Sequence, residues 1–258
     1  MSEERIVLCM KWGALYPGSY VNVLYNAVCK NLDGPFRFVC LTNEPEGLAE
    51  GIEHFPLPDI DVPQERYNAG AWPKLGVFKE DLYGLKGRAL FIDLDSLVLG
   101  RLEPFFEAEG GLISIAGGPG WRRGSDNPEP TLASGVFAFN IGEQPQILDG
   151  FLKDKQWHYD NFQNEQQVVQ HYCNDWQTWP KPYVISFKKH LRRPLVIDRV
   201  LPPRLPPEET LILAFHGNPR PIETVRTDIK NWAHFPHYGK SPIPWVRQYW
   251  LDNGFKDL

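Results

Sequence analysis

The chain has 258 residues, 42% of them apolar and 23% charged, which is length enough for a full hydrophobic core and the balance of a globular protein. A net charge of −5 supplies no electrostatic footprint for nucleic acid. No apolar stretch approaches the roughly 18 residues of a membrane span.

The first half alternates between strand and helix patterns. Ile6–Met10 reads as a strand, since the acidic start Met-Ser-Glu-Glu-Arg and the short apolar run do not make a signal peptide. Ser19 is an expected N-cap for a helix to about Asn31, with Tyr20, Val23, Leu24, Ala27 and Val28 on one face. Phe36–Thr42 and His54–Leu57 follow as strands, and Pro73 suits the first turn of a helix through about Leu82. Ala89–Leu94 and Leu112–Ala116 are further strands. Such alternation predicts an α/β fold with a mostly parallel, doubly wound sheet.

The second half is less regular. Gly117–Pro130 reads as a long polar loop, Val136–Asn140 as a strand and Asn164–Tyr172 as a helix. Leu211–Phe215 is a late strand that runs into a Gly/Pro loop, and Pro244 to about Leu251 is an aromatic-rich helix. No repeat or linker divides the chain, so one domain over 1–258 is expected. Cys9, Cys29, Cys40 and Cys173 lack metal-ligand spacing and read as reduced core thiols of a cytoplasmic protein. The basic run Lys188-Lys189-His190-Leu191-Arg192-Arg193 reads as a solvated face.

The most informative segment is Ala89-Leu-Phe-Ile-Asp-Leu-Asp-Ser-Leu-Val-Leu99, an apolar strand that ends in two aspartates one residue apart. Side chains alternate along a strand, so Asp93 and Asp95 are expected on one side. Adjacent carboxylates repel unless a cation lies between them, and hard oxygen donors suit Mg²⁺ or Mn²⁺. In open α/β sheets the ligand crevice lies at the carboxyl ends of the strands. A divalent ion there stabilises a pyrophosphate leaving group. The bland alternative is one capping and one solvated Asp. A sharper rival is the haloacid-dehalogenase type of phosphatase, but that motif belongs on the first strand, and position 97 is Leu where Thr or Val is usual.

Lys86-Gly-Arg-Ala-Leu-Phe-Ile-Asp-Leu-Asp-Ser-Leu-Val-Leu-Gly-Arg-Leu-Glu-Pro-Phe-Phe106 resembles the donor-site segment of glycosyltransferase family eight, the group of glycogenin and the lipopolysaccharide galactosyl- and glucosyltransferases. Four further segments fall in that family's order: Ala71-Trp-Pro-Lys-Leu75, Ala133-Ser-Gly-Val-Phe-Ala-Phe-Asn140, Asn164-Glu-Gln-Gln-Val168 and Leu213-Ala-Phe-His-Gly-Asn-Pro-Arg-Pro221. The departures are Glu165 in place of the usual Asp, Ser134 near a common Asn or Ser, and Arg220 where Lys-Pro-Trp is expected.

The resemblance implies a GT-A type fold, with a nucleotide-sugar half over about 1–116 and an acceptor and catalytic half over about 117–258. It implies a Mn²⁺ (or Mg²⁺) dependent, retaining transfer of a hexose from a UDP-sugar to a saccharide or glycolipid acceptor, with peripheral membrane association open. Asp93, Asp95 and His216 are then the metal ligands. Tyr20, Lys74, Leu94, Ser134, Gly217 and Arg220 join the two aspartates around the donor, with Trp12 as an alternative aromatic for the base. Glu165 or Gln166 supports the anomeric carbon. Gly117–Arg123 shapes the sugar pocket, and Trp232, Trp245 and Trp250 are packing residues. Each site residue also has an ordinary reading: a structural His, a solvated Lys, an acidic first helical turn. Two non-enzyme readings stand beside this one, a carbohydrate-binding module and a transferase-like protein that binds a nucleotide sugar without turnover.

Overall fold

A computed structural model describes residues 4–121, 129–233, 235 and 237–256. Strand β1 (Arg5–Lys11) alternates cleanly: Ile6, Leu8 and Met10 enter one core layer, Val7 and Cys9 the other. Helix α1 (Gly18–Asn31) covers the second layer with Val21, Leu24, Ala27 and Val28, while Tyr20 and Val23 turn to a third cluster. It starts after Pro17, whose carbonyl accepts from the Tyr20 N–H at 2.9 Å, so Ser19 lies inside the first turn and caps nothing. Strands β2 (Arg37–Thr42) and β3 (Glu53–Phe55) extend the sheet in parallel. A short helix α2 (Glu65–Asn68) leads to a 3₁₀ helix, Trp72–Phe78, all of whose residues are buried. That element stops short of the expected Leu82 because Lys79 leaves it with extended ψ.

Strand β4 (Arg88–Ile92) pairs in parallel with β1, and the chain then turns into β5 (Ser96–Val98), α3 (Glu103–Glu107), β6 (Leu112–Gly117) and a 3₁₀ turn at Gly118–Trp121. Strand β7 (Thr131–Asn140) is longer than expected, since Thr131–Ala133 pair with β6 beyond a register shift between Ile113 and Ile115. Helices α4 (Pro145–Lys153), α5 (Lys155–Asn161) and α6 (Glu165–Tyr172) follow, then β8 (Trp176–Thr178) and β9 (Val184–Ser186). A π-helical turn at Phe187–Leu191, strand β10 (Ile212–Ala214), α7 (Pro221–Val225) and α8 (Pro244–Asp252) complete the order.

The large sheet runs β3-β2-β1-β4-β7-β6-β8, mostly parallel, with β7 antiparallel to both neighbours. A small sheet, β5-β10-β9, lies beside it. Cys9, Cys40 and Cys173 are buried as expected, but Cys29 is exposed on the outer face of α1. Trp232 and Trp250 are buried against the small sheet. Among the described residues no helix is long and apolar enough to cross a membrane.

Candidate active site

The strand order 3-2-1-4 places the end of β4 at the point where the sheet's order reverses, the usual crevice of open α/β sheets. Strand β4 ends at Ile92, so Asp93-Leu94-Asp95 is a turn and not a strand continuation. The Ser96 N–H closes it on the Asp93 carbonyl at 3.0 Å, and the Asp93 N–H donates to Gly135 of β7 at 2.9 Å. This turn carries the chain from the large sheet into the small one. Both carboxylates nevertheless line the same cavity, of about 750 Å³, together with Lys74, Ser134, Gln166, His216 and Gly217. An adjoining cavity of about 300 Å³ shares Asp93 and Asp95 and adds Leu94, Trp12, Leu15, Tyr16 and Tyr67.

Lys74 comes from the 3₁₀ helix after Pro73 and is buried with its charge. Its Nζ lies 2.8 and 2.9 Å from the two Asp93 oxygens, 3.3 Å from the Ser134 carbonyl and 3.5 Å from Glu165. Burial disfavours the ammonium, but Asp93 and Glu165 outweigh it and hold the Lys74 pKa above its ordinary value. Glu165 opens α6 and is only 3% exposed. It accepts a short hydrogen bond from the Ser134 hydroxyl, and burial pushes its pKa up. Glu165 and Gln166 both line the cavity, Glu165 as a buried side chain tied to Ser134 and Lys74 and Gln166 as a half-buried one. The Gln166 Oε1 accepts from the Ser134 N–H at 2.9 Å, which fixes its carboxamide against β7.

Asp95 is held differently. Its main-chain carbonyl accepts from the Phe215 N–H at 3.1 Å and its Oδ2 from the Gly217 N–H at 3.2 Å, so the late loop folds onto the turn. Burial first, and then the neighbouring Asp93, push its pKa up to about 6. His216 and Gly217 both adopt positive φ, at 41° and 85°, a reversal that glycine makes without strain. The His216 ring lies against Trp121 and shares a hydrogen bond between Nε2 and the Ser186 hydroxyl. Desolvation, then Lys188 and Lys189, press its pKa down to about 4, so it is neutral near pH 7.

Two carboxylates and a neutral imidazole on one cavity are a donor set suited to Mn²⁺. Three carboxylates (Asp93, Asp95, Glu165) face one buried ammonium there, an excess of negative charge that a divalent cation fits. Among the described residues, though, no three His, Cys, Asp or Glu side chains are already gathered as a ligand set. Asp93 is engaged by Lys74 and His216 by Ser186.

Two expected donor residues lie elsewhere. Tyr20 is 3% exposed and packs edge-on against Tyr16 and Trp250, because its face of α1 points to the small sheet; it lines neither cavity. Tyr16, just before the helix, lines the smaller cavity instead, alongside Trp12. Arg220 is bound through Nε and Nη2 to Glu223 at 3.1 and 2.8 Å and does not line the crevice. The basic run at 188–193 was read as a solvated face, yet Lys189 lines the crevice and Lys188 donates to the His216 carbonyl at 2.7 Å. A π-helical turn leaves no periodic apolar signature, so nothing in the sequence signals this. Of the expected pocket wall at Gly117–Arg123, Gly117, Gly118 and Trp121 line the crevice, while Arg122 and Arg123 lie outside the described residues.

No family model matches the chain, and no curated protein matches it. Solved structures do. The galactosyltransferase LgtC, in complex with donor and acceptor sugar analogs, aligns over 98% of this chain and 96% of its own, with TM-score 0.61 and 14% identity. The apo form of the glycosyltransferase GlyE from Streptococcus pneumoniae TIGR4 aligns over 99% of this chain but 61% of its own, with TM-score 0.60 and 15% identity. The bifunctional glycosyltransferase WbbM aligns over 87% and 48%, with TM-score 0.58 and 10% identity. At such identities the likeness is one of fold, and the fold is the expected GT-A type.

Proposed function

We propose that the protein is a Mn²⁺-dependent glycosyltransferase that moves a hexose from a UDP-sugar to a saccharide or glycoconjugate acceptor with retention of configuration. The observation that carries this reading is the Asp93–Asp95 turn at the sheet's reversal point, with the His216–Gly217 loop hydrogen-bonded onto it. Asp93, Asp95 and His216 would hold the metal, which when bound neutralises charge on the departing diphosphate. Binding it requires Asp93 to release Lys74 in part, while the Ser186 hydroxyl occupies only Nε2 of the His216 ring and leaves Nδ1 as the ligand atom. Lys74 remains a buried cation beside the phosphates. Trp12 and Tyr16 offer the uracil an aromatic wall in the smaller cavity.

Gln166 is the residue for the reacting carbon. Its Oε1 has a second lone pair beyond the one used by the Ser134 N–H, and that lone pair supports an oxocarbenium-like centre. Glu165 acts through Lys74 and Ser134 as a positioning residue. An acceptor that attacks from the leaving-group side gives its proton to the departing phosphate oxygen, so no separate base is required. A thermal-shift series tests the reading: UDP with Mn²⁺ raises the melting temperature more than GDP or ADP, and Asp95→Ala and His216→Ala lose the Mn²⁺-dependent part. Absence of any Mn²⁺-dependent nucleotide shift in wild type would overturn the metal site. Release of free hexose from UDP-hexose then separates an enzyme from a binding protein.

A further inference from the structure

A second cavity, of about 610 Å³, opens beside the crevice, with which it shares Lys189 and His216. Its wall also carries Lys188, Arg192, Arg193 and Arg204, and among the described residues no Asp or Glu lines it. The π-helical turn Phe187–Leu191 and the chain that returns at Arg204 bring these cations together. Their heads are steadied largely by neutral carbonyls: Lys188 on His216, Arg193 on Pro202 at 3.1 Å, Arg204 on His190 at 3.5 Å. Behind the wall, Asp198 meets Arg192 at 3.3 Å and His237 at 2.9 Å. Asp198, with Asp95 acting on Lys188 from the crevice side, does not balance five cations, and like charges gathered in one cavity repel. A chain of net charge −5 concentrates here the opposite sign.

Guanidinium forks and ammonium groups converging on one space match the oxygens of a phosphate. Neither Asp93 nor Asp95 lines this cavity, which meets the crevice only at Lys189 and His216. We propose that it binds a phosphate group borne by the acceptor, next to the hydroxyl that receives the sugar. The word acceptor rests on the transferase reading; the phosphate site does not. Two sources share this chemistry, a soluble sugar phosphate and a phospholipid-type headgroup. Between Pro194 and Arg204 the chain exposes Leu195, Val196, Val200 and Leu201, with Val196 79% exposed, an apolar rim that a lipid-borne phosphate would use.

The test is equilibrium dialysis of the full chain with radiolabelled inorganic phosphate at low ionic strength, in wild type and in an Arg193→Glu/Arg204→Glu variant. Wild type is expected to bind one phosphate, and the variant to bind it at least about tenfold more weakly, since charge-assisted contacts are replaced by repulsion. Arg193→Gln, a milder change, should weaken binding less, and it replaces the double variant if that fails to fold. Co-sedimentation with phosphatidylglycerol vesicles against phosphatidylcholine vesicles assigns the source: Arg193-dependent sedimentation with the former indicates a lipid, its absence a soluble phosphate. No phosphate binding by wild type, or binding untouched by the variants, overturns the proposal. The UDP–Mn²⁺ shift is the control. If it fails while Arg193-dependent phosphate binding persists, the transferase reading falls and the phosphate site stands.

Discussion

Asp95→Asn in the metal-free protein should raise stability at neutral pH, although it removes a candidate metal ligand. In the folded protein Asp95 is crowded by burial and by Asp93, and its pKa rises from an ordinary 3.8 to about 6. Between those values the native state holds a proton that the unfolded chain has released. Stability from this group therefore falls as pH rises through that window and stays low above it. A rise of about two pH units at 1.36 kcal/mol per unit amounts to an upper limit of about 3 kcal/mol at pH 7. Asn keeps an acceptor for the Gly217 N–H and removes the charge. For a chain of this size 1 kcal/mol shifts Tm by roughly 2–4 °C, so a gain of up to about 6–12 °C is expected. Melting curves in EDTA at pH 7.5, 6 and 4 provide the assay. The gain should shrink through pH 6 and vanish near pH 4, where wild-type Asp95 is itself protonated. Excess Mn²⁺ should reverse the order, stabilising wild type above the variant. A variant less stable than wild type at pH 7.5 in EDTA would refute the idea that the aspartate pair is electrostatically strained without a cation.

Lys74→Met should cost on the order of 3–5 kcal/mol in urea denaturation, because it leaves Asp93 and Glu165 without their buried cation. Tyr16→Ala should weaken UDP binding by about 1–3 kcal/mol, a base-stacking contribution, with a smaller loss of stability than Tyr20→Ala because Tyr16 is only half-buried. Tyr20→Ala should do the opposite, costing about 3–5 kcal/mol of stability as a large core truncation and leaving UDP affinity nearly intact. Gln166→Ala should lower kcat more than it raises donor KM, and proton NMR of the first product should show an α-linked sugar from an α-linked donor.

Much of the fold was legible because β1 and β4 are short, strongly apolar and flanked by turn residues, and α1 has a clear helical face. Helix α4 was not anticipated, although Ile147, Leu148 and Phe151 form its buried face together with Gly150. That glycine serves packing, since a Cβ there would lie 2.4 Å from the Tyr172 ring of α6. The Asp pair is not placed by the strand. Strand alternation does not orient it; a turn between two sheets does, and a local pattern cannot reveal the second sheet. Tyr20 illustrates the same limit. It sits on the apolar face of α1, and only the position of the small sheet decides that this face meets core and not ligand. Arg220 was misplaced because its partner, Glu223, lies one turn along α7 in a capping box that the sequence did not advertise.

The charge distribution ties these features together. Around the Asp93–Asp95 turn acids exceed bases, and across His216 the balance inverts, with Lys188, Lys189, Arg192, Arg193 and Arg204 gathered around one cavity. The boundary is narrow: Lys188 grips the carbonyl of the residue whose successor, Gly217, grips Asp95. A cation lodged on the acidic side would draw in the Asp95 carboxylate and so pull on the Gly217 N–H. An anion on the basic side would draw in Lys188 and so pull on the His216 carbonyl. Both forces act on a two-residue segment whose first residue, His216, is held at positive φ, where a residue with a Cβ has few alternative backbone states to absorb them. Occupancy of one side should therefore alter affinity on the other, and by linkage the effect must be reciprocal. Phosphate dialysis repeated with saturating UDP and Mn²⁺ measures that coupling, and identical phosphate affinities in the two conditions would show that the His216–Gly217 segment does not transmit it.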